Sequence, residues 1–386
     1  MRTLPDNSDL DHLRQQAKDL LAGLRDTEPA TSLAAAQSSL AGQYGFRTWT
    51  ELKAEVDRMR GSAAVADPAL ARAVADAYGL GAVTGEMRSM ARADDMGRQW
   101  SLHTDRGRWA VRTMDTWWPI VDPGTDVALQ EAALAAGVLL PAPVRSRSGE
   151  VAESVGGHEW RVYEWRHSGP PMAAPASAAV TREMGGIIAT LHGLALPVDR
   201  VSPWHASRLT SVTWPELAAT VRDKGFGWAA ELAAAVPTLE ELATIDDEAG
   251  EPVLSHNTIG PGQVRRGPNG RLVVFAWEHA GGQPPNWELG NALMDWTVEP
   301  GGGVNVAGAR AMVEGYRATA GALPVLDMSM FRGAVTGLAN YVSGLVEYAM
   351  EASDDEDRRF AERGVRHVLT HLPTRTTLER LLGAVR

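Results

Sequence analysis

The side chains with chemistry in them gather in one stretch, SHNTIGPGQVRRGPNGRLVVFAWEH, from Ser255 to His279. His256 and His279 carry imidazoles, the groups that most readily exchange protons near pH 7. Glu278 stands beside His279, where it can polarise or pair with it. Thr258 adds a hydroxyl with no useful basicity near neutral pH, and Asn257 and Gln263 add amides. The stretch reads as a loop, a tight turn with Pro268-Asn269-Gly270 chemistry, and an apolar strand ending in polar residues. That is the outline of a phosphate-transfer site, yet the acidic residues such a site needs are missing.

The elements that must position these groups belong to a chain of 386 residues, long enough for two or three domains and apolar enough (44%) for a sizeable core. Its 37 basic and 48 acidic residues leave a formal charge of −11, without a long Lys/Arg run, which argues against nucleic acid or an anionic membrane as partner. There is no cysteine, so disulfides, thiolate metal sites and a Cys nucleophile are excluded. No apolar signal core opens the N-terminus and no 18-residue apolar run follows, so a cytoplasmic location is expected. Thirteen Trp against five Phe is an unusual ratio, and most of the tryptophans are read as core.

Helical spacing over 7–25, a second helix over 31–43, and a Thr48/Glu51 capping box opening a third over 48–60 predict a three-helix leader, residues 1–61, ending in the small-residue linker RGSAAVADP. A helix from 69 leads to a hairpin, QWSLHTD and RWAVRTM about an Arg106-Gly107 turn, a helix at 124–137, and a second strand pair in VAESVGGHEWRVYEW. Helices are expected at 175–196, 214–223, 226–245, 286–297, 304–320, 327–351, 354–371 and 376–385. The order is that of an α+β protein with a strand-rich lobe (69–167) followed by a helical lobe (168–386).

With these landmarks in order, residues 80–386 resemble the aminoglycoside phosphotransferase/choline kinase family, which implies a bilobal protein-kinase-like fold. WAVRTM stands where that family has the strand with its phosphate-contacting Lys. LQEAALAAGVLLPAPV stands for the helix whose Glu pairs with the Lys, YEWRHSGPPM for the hinge, and IIATLHGL for the helix ending Leu-His. SHNTIGPGQV stands for the catalytic loop and VVFAWEHA for the strand with the magnesium Asp. The leader, through QYGFRTWTELKAEV, resembles the short helical block found ahead of ankyrin repeats. Carried over position by position, Arg112 falls on the Lys, Glu131 on its Glu partner, His256 on the motif His and Asn257 on its Gly. Thr258 falls on the catalytic Asp, Gln263 on the metal-binding Asn and Ala276 on the magnesium Asp. Read one register along, Asn257 would take the Asp position and would still be an amide. Glu288 falls where the family ties a helix to the catalytic loop, and His192 and His256 fall on structural histidines.

The resemblance therefore implies a degenerate site. Phosphoryl transfer in this fold needs magnesium held by oxygens and an Asp to take the nucleophile's proton. Alanine offers no ligand, and losing a general base costs about 10²–10⁴-fold in rate. In ARADDMGRQW, at the position of the nucleotide loop, Asp94 and Asp95 would repel a triphosphate. Arg112 could still grip an anion and Glu131 could pair with it. The expectation is that magnesium–ATP binding is lost or weak, and that no metal or other cofactor is held. Arg112, Glu131, Asn257 and Gln263 would contact a small polar or peptide-like ligand in the interlobe cleft. Three uses stay open: metal-free acid–base chemistry (elimination, cyclisation or isomerisation) in a biosynthetic pathway, with His279, Glu278, His256 or Thr258 reacting; a non-catalytic pseudokinase scaffold; or an active phosphotransferase with atypical metal ligands. Residues 1–60 are left as a surface for a protein partner.

Overall fold

The computed structural model describes residues 3–6, 8–91, 97–114, 121–245, 250–299 and 301–386. The leader forms α1 (Leu10–Thr27), α2 (Leu33–Gln43) and α3 (Trp49–Met59), each opened by an N-cap side chain, Asp9, Ser32 and Thr48. Glu51 donates its backbone N–H to the Thr48 hydroxyl as the capping box requires, but its carboxylate closes on the N–H and guanidinium of Arg47 instead of returning to Thr48. Leu13, Leu20, Leu40, Leu52 and Val56 make the leader's own core.

After α4 (Pro68–Ala77) comes one antiparallel sheet built from β1 (Arg88–Ser89), β2 (Gln99–Thr104), β3 (Gly107–Thr113), then, beyond α5 (Pro123–Ala135), β4 (Pro143–Val144), β5 (Glu153–Val155) and β6 (His158–Glu164). The order is β1-β2-β3-β6-β4, with β5 also on β6. The β2–β3 turn is Asp105-Arg106, one residue earlier than the sequence suggests, because Gly107 already pairs with Thr104. Strand alternation splits the sheet's faces. Leu102, Val111, Trp160 and Val162 pack on Val74 and Tyr78 of the α4 segment. Arg112 and Arg161 leave the opposite face, directly across from one another in the β3–β6 register.

The helical lobe runs α6 (Ala178–Gly193), α7 (Pro203–Ala206), α8 (Trp214–Asp223), α9 (Ala229–Leu242), the short pair β7 (Val253–Ser255) and β10 (Gly281–Gln283), and between them the hairpin β8 (Val264–Arg266) and β9 (Leu272–Val274). Then follow α10 (Pro285–Thr297), α11 (Val306–Ala320), α12 (Arg332–Glu351), α13 (Asp355–Thr370) and α14 (Arg375–Val385). Two cores result, one centred on α6, α10 and α11, the other on α8, α9, α12 and α13. Trp160, Trp228, Trp287 and Trp296 are fully buried and Trp277 nearly so, as expected of core tryptophans. Asp354 caps α13 through the N–H groups of Glu356 and Asp357, so the acidic run opens a helix. Among the described residues, no helix is long and apolar enough to cross a membrane.

The leader docks on its own chain. Gln16 and Gln43 donate to the carbonyls of Pro171 and Ala174 just past β6, and Asp26 accepts the N–H of Ala178 at the start of α6. A Cβ on Gly23 would sit 2.0 Å from the Pro175 carbonyl, so only glycine permits that approach. Asp6 meanwhile takes the hydroxyl of Ser89 on β1, linking the leader to both lobes.

Candidate functional site

The loop after β7 is braced from behind. Glu288 on α10 is wholly buried and takes two hydrogen bonds, from the Asn257 N–H (2.8 Å) and from His192 Nε2 (2.8 Å), while His192 Nδ1 meets Tyr316 (2.9 Å). Burial pushes the Glu288 carboxyl up, but His192, His256 and the Asn257 N–H outweigh it and hold the group below the usual range. His256 is fully enclosed: Nε2 bonds the Phe275 carbonyl at 2.9 Å, the ring packs edge-on against Trp277, and burial lowers its pKa. With no accessible surface it cannot touch a ligand, which corrects its candidacy as a proton carrier. Asn257 is likewise buried, donating its amide to the His279 carbonyl (3.0 Å), and so staples the loop to the 277–279 turn instead of contacting a ligand. Asn257 and Ala276 are both left-handed, at φ 67° and 60°.

The front of the loop is different. Thr258 is part-exposed, its hydroxyl 3.4 Å from His256 Nδ1. Gln263, with its amide turned to satisfy its neighbours, donates back to the carbonyls of Thr258 (3.1 Å) and Gly260 (3.2 Å). Ala276 presents a methyl. His279 is part-exposed and its imidazole bonds to no described residue. Glu278, its neighbour in sequence, points elsewhere. It is 7% exposed and accepts from Tyr163 on β6, at 2.9 Å, across the gap between lobes.

That contact leads to a buried charged cluster. Arg161 donates through Nη2 to Asp126 Oδ1 on α5 at 3.0 Å, its Nη1 lies 3.0 Å from Oδ2 as an ion pair, each side chain is 1% exposed, and Gln130 donates to Oδ1 at 2.8 Å. Arg161 also lies 3.5 Å from the Tyr163 hydroxyl. Burial pushes the Asp126 carboxyl up to about 7 against the pull of Arg161. Glu278 goes the other way: burial raises it, but Arg112 and Arg161 more than offset this and it lies below the ordinary carboxylate range. Tyr163, buried beside that carboxylate, is pushed well up and stays a donor. Glu131 is not part of this cluster. Its side chain is half exposed and pairs with Arg145 at 2.9 Å. The helical period is the reason: Asp126 and Gln130, four apart, share the inward face of α5, and Glu131 is about 100° further round. The expected Glu131–Arg112 pairing is therefore corrected. Asp126, Arg161 and Tyr163 went unnoticed in the sequence, although the alternation in HEWRVYE puts Arg161 and Tyr163 on the face opposite two core residues.

A second feature has no counterpart in the sequence reading. A cavity of about 1540 Å³ opens between the leader (Phe46, Arg58), Arg98 at the start of β2, and α12–α13 (Tyr341, Tyr348, Arg363). Arg58 lies 3.7 Å from Glu356, and Arg363 stacks over Phe46.

Comparison with known proteins accounts for the arrangement. A family model described as the phosphotransferase enzyme family, APH, matches residues 91–322, and one for a glyoxalase superfamily protein matches residues 2–106. No curated protein matches the chain. Among solved structures, spectinomycin phosphotransferase APH(9)-Ia in complex with ADP and spectinomycin superimposes with a TM-score of 0.56 at 12% identity, covering 78% of this chain and 93% of that one. Amicoumacin kinase hAmiN, in complex with AMP-PNP and Ca²⁺, gives 0.54 at 12% identity over 84% and 96% of the two chains. A microcompartment-associated aminopropanol kinase gives 0.51 at 13% over 77% and 94%. At these identities the structures attest the fold, a kinase-like α+β architecture, and the family model matches well over half the sequence. The chain belongs to the APH phosphotransferase enzyme family.

Proposed function

We propose that this member of the family has given up magnesium-dependent phosphoryl transfer and serves to bind a polar or peptide-like ligand between its lobes. What supports this reading is a loop braced from behind whose positions matched by resemblance carry no carboxylate. Asn257 and Ala276 keep left-handed backbone, a conformation unfavourable for most L-residues, while Thr258, Gln263 and Ala276 offer no carboxylate. Magnesium demands near-octahedral oxygen ligation, usually with one or two carboxylates. Gln263 spends its amide on its own loop, and Glu278 is held by Tyr163. Among the described residues no group of three or more His, Asp or Glu side chains is placed to hold a metal. The donors present do not fit a magnesium–triphosphate.

The large open space is the cavity walled by the leader, Arg98 and α12–α13, which none of Arg112, Glu131, Asn257 and Gln263 lines, so a ligand there would sit apart from the catalytic loop. At about 1540 Å³ it exceeds the roughly 300–1,000 Å³ of ordinary small-molecule pockets, which suits a bulky ligand. With the leader committed to intramolecular contacts through Gln16, Gln43 and Asp26, its role is to wall that cavity, and a protein partner for residues 1–60 is left to its outer surface. One observation favours a second reading with turnover. His279 is part-exposed, its imidazole bonds to no described residue, and it lies next to the catalytic loop, placed for metal-free proton transfer.

The test is calorimetry and thermal melting of the full chain with ATP plus Mg²⁺, and with ATP plus EDTA. Neither should shift the melting temperature or yield ADP. A rise with ATP that depends on the metal overturns the reading.

A further inference from the structure

We propose that the leader is a strap across the two lobes, holding them at one angle so that they do not open and close about the segment that joins them. The inference stands apart from the reading above, since an active phosphotransferase could be strapped in the same way.

Both ends of the strap are anchored on the strand-rich lobe. Ahead of α1, the Asp6 N–H donates to the Met90 carbonyl at 2.9 Å, and Pro5 bridges Ala91. Beyond α3, the Ser89 N–H on β1 donates to the Ala64 carbonyl at 2.8 Å and the Ala66 N–H to the Met87 carbonyl at 2.9 Å. The Ser89 hydroxyl accepts the Ala64 N–H at 2.9 Å. The chain on either side of the three helices thus lies along β1, the edge strand of the sheet, whose backbone groups readily take up added chain.

The helices between these ends are anchored elsewhere. The chain crosses between lobes over residues 165–177, from β6 to α6. Gln16 donates to the Pro171 carbonyl at 2.8 Å and Gln43 to the Ala174 carbonyl at 2.6 Å, both from buried side chains. Gly23 closes on the Pro175 carbonyl, and Asp26 accepts the Ala178 N–H at 2.7 Å. Asn305, the N-cap of α11, donates to the Ala176 carbonyl at 3.0 Å and to the Gly23 carbonyl at 3.3 Å. The far side of the crossing segment is held too, by the Gly169 N–H on the Arg266 carbonyl (2.7 Å) and the Met172 N–H on the Val264 carbonyl (2.9 Å).

Closure of two lobes is a rotation absorbed by a few residues of such a joining segment. Here the rotation would have to part the strap from β1 or from the crossing segment. Parting the second contact would leave buried amides and carbonyls without partners, which is the costly way to lose a hydrogen bond.

The chain has no cysteine, so His103→Cys and Arg317→Cys, both exposed and on opposite lobes, take a spin-label pair that reads the interlobe distance in the full chain. Into this background go Gln16→Ala/Gln43→Ala and the milder Gln16→Met/Gln43→Met, which removes both donors at nearly constant volume and so guards against a variant that fails to fold. Arg14→Ala, at an exposed pair on α1, is the control. The background and the control should give one narrow distance distribution. Both double variants should broaden it, with amide exchange over residues 168–178 faster by about tenfold or more and exchange in α10 unchanged. A broad distribution in the background overturns the proposal. So does a methionine variant that melts lower yet keeps the narrow distribution and slow exchange, because the leader is then a packed module and no strap. Loss of protection throughout both lobes at once overturns it as well, since the leader then belongs to a single core.

Discussion

The back and the front of the loop after β7 are built in opposite ways. Behind it, His192, Glu288, Tyr316, His256 and the Asn257 backbone form a closed set of hydrogen bonds in which nearly every donor meets an acceptor. In front of it, Thr258, Gln263 and Ala276 are part-exposed, and none contributes a charge. The difference follows from burial. A buried carboxylate whose partners depend on it is costly to lose, because each orphaned group must then be desolvated without return. A part-exposed side chain facing a cleft can be exchanged with little effect on folding. The back of the loop is held by stability, while the front can vary at little cost to folding.

The comparison breaks most visibly at Glu288. Glu288→Ala removes two hydrogen bonds to a buried charge and should lower the unfolding free energy by about 3–5 kcal/mol in urea titrations. If that loss is under about 1 kcal/mol, the back of the loop is no firmer than the front. Acid sharpens the same point. Because the folded-state pKa of Glu288 lies below its ordinary 4.5, its contribution is complete above that pH and is lost as the pH falls through the folded value. Wild-type stability should drop steeply below pH 4.5, and Glu288→Gln should flatten that part of the profile.

Smaller effects belong to the front. Ala276→Gly relieves a left-handed alanine, a strain of about 1–2 kcal/mol partly offset by the freer unfolded chain, for a net gain of about 0.5–1 kcal/mol in thermal melts. The double variant Thr258→Ala, Gln263→Ala should change stability by no more than about 0.5 kcal/mol. Glu131→Ala, which removes a half-exposed ion pair, should be smaller still. A large loss from the double variant would mean the front is structural too.

Much of this was legible in the amino-acid order. The leader helices, the paired strands and the helical run follow from local periodicity and turn chemistry, with ends within a few residues, and α8 falls on its expected bounds. The short pairing of β7 with β10 was not legible, since three-residue strands far apart in sequence carry no period of their own. The order of the loop's motif was legible because motif positions are fixed by spacing. The expected nucleotide-loop acids, Asp94 and Asp95, lie outside the described residues.

Motif order by itself pointed to the family and the α+β architecture, because both are written locally and read in register. Only the folded chain decided which charges meet. Asp126 and Glu131 differ by five positions, and the helix turns one toward Arg161 and the other toward solvent. Glu278 and His279 are adjacent, yet the turn between them buries one against the opposite lobe and leaves the other part-exposed. Partnership between charges depends on distance and burial, and a linear sequence specifies neither until packing brings distant elements together.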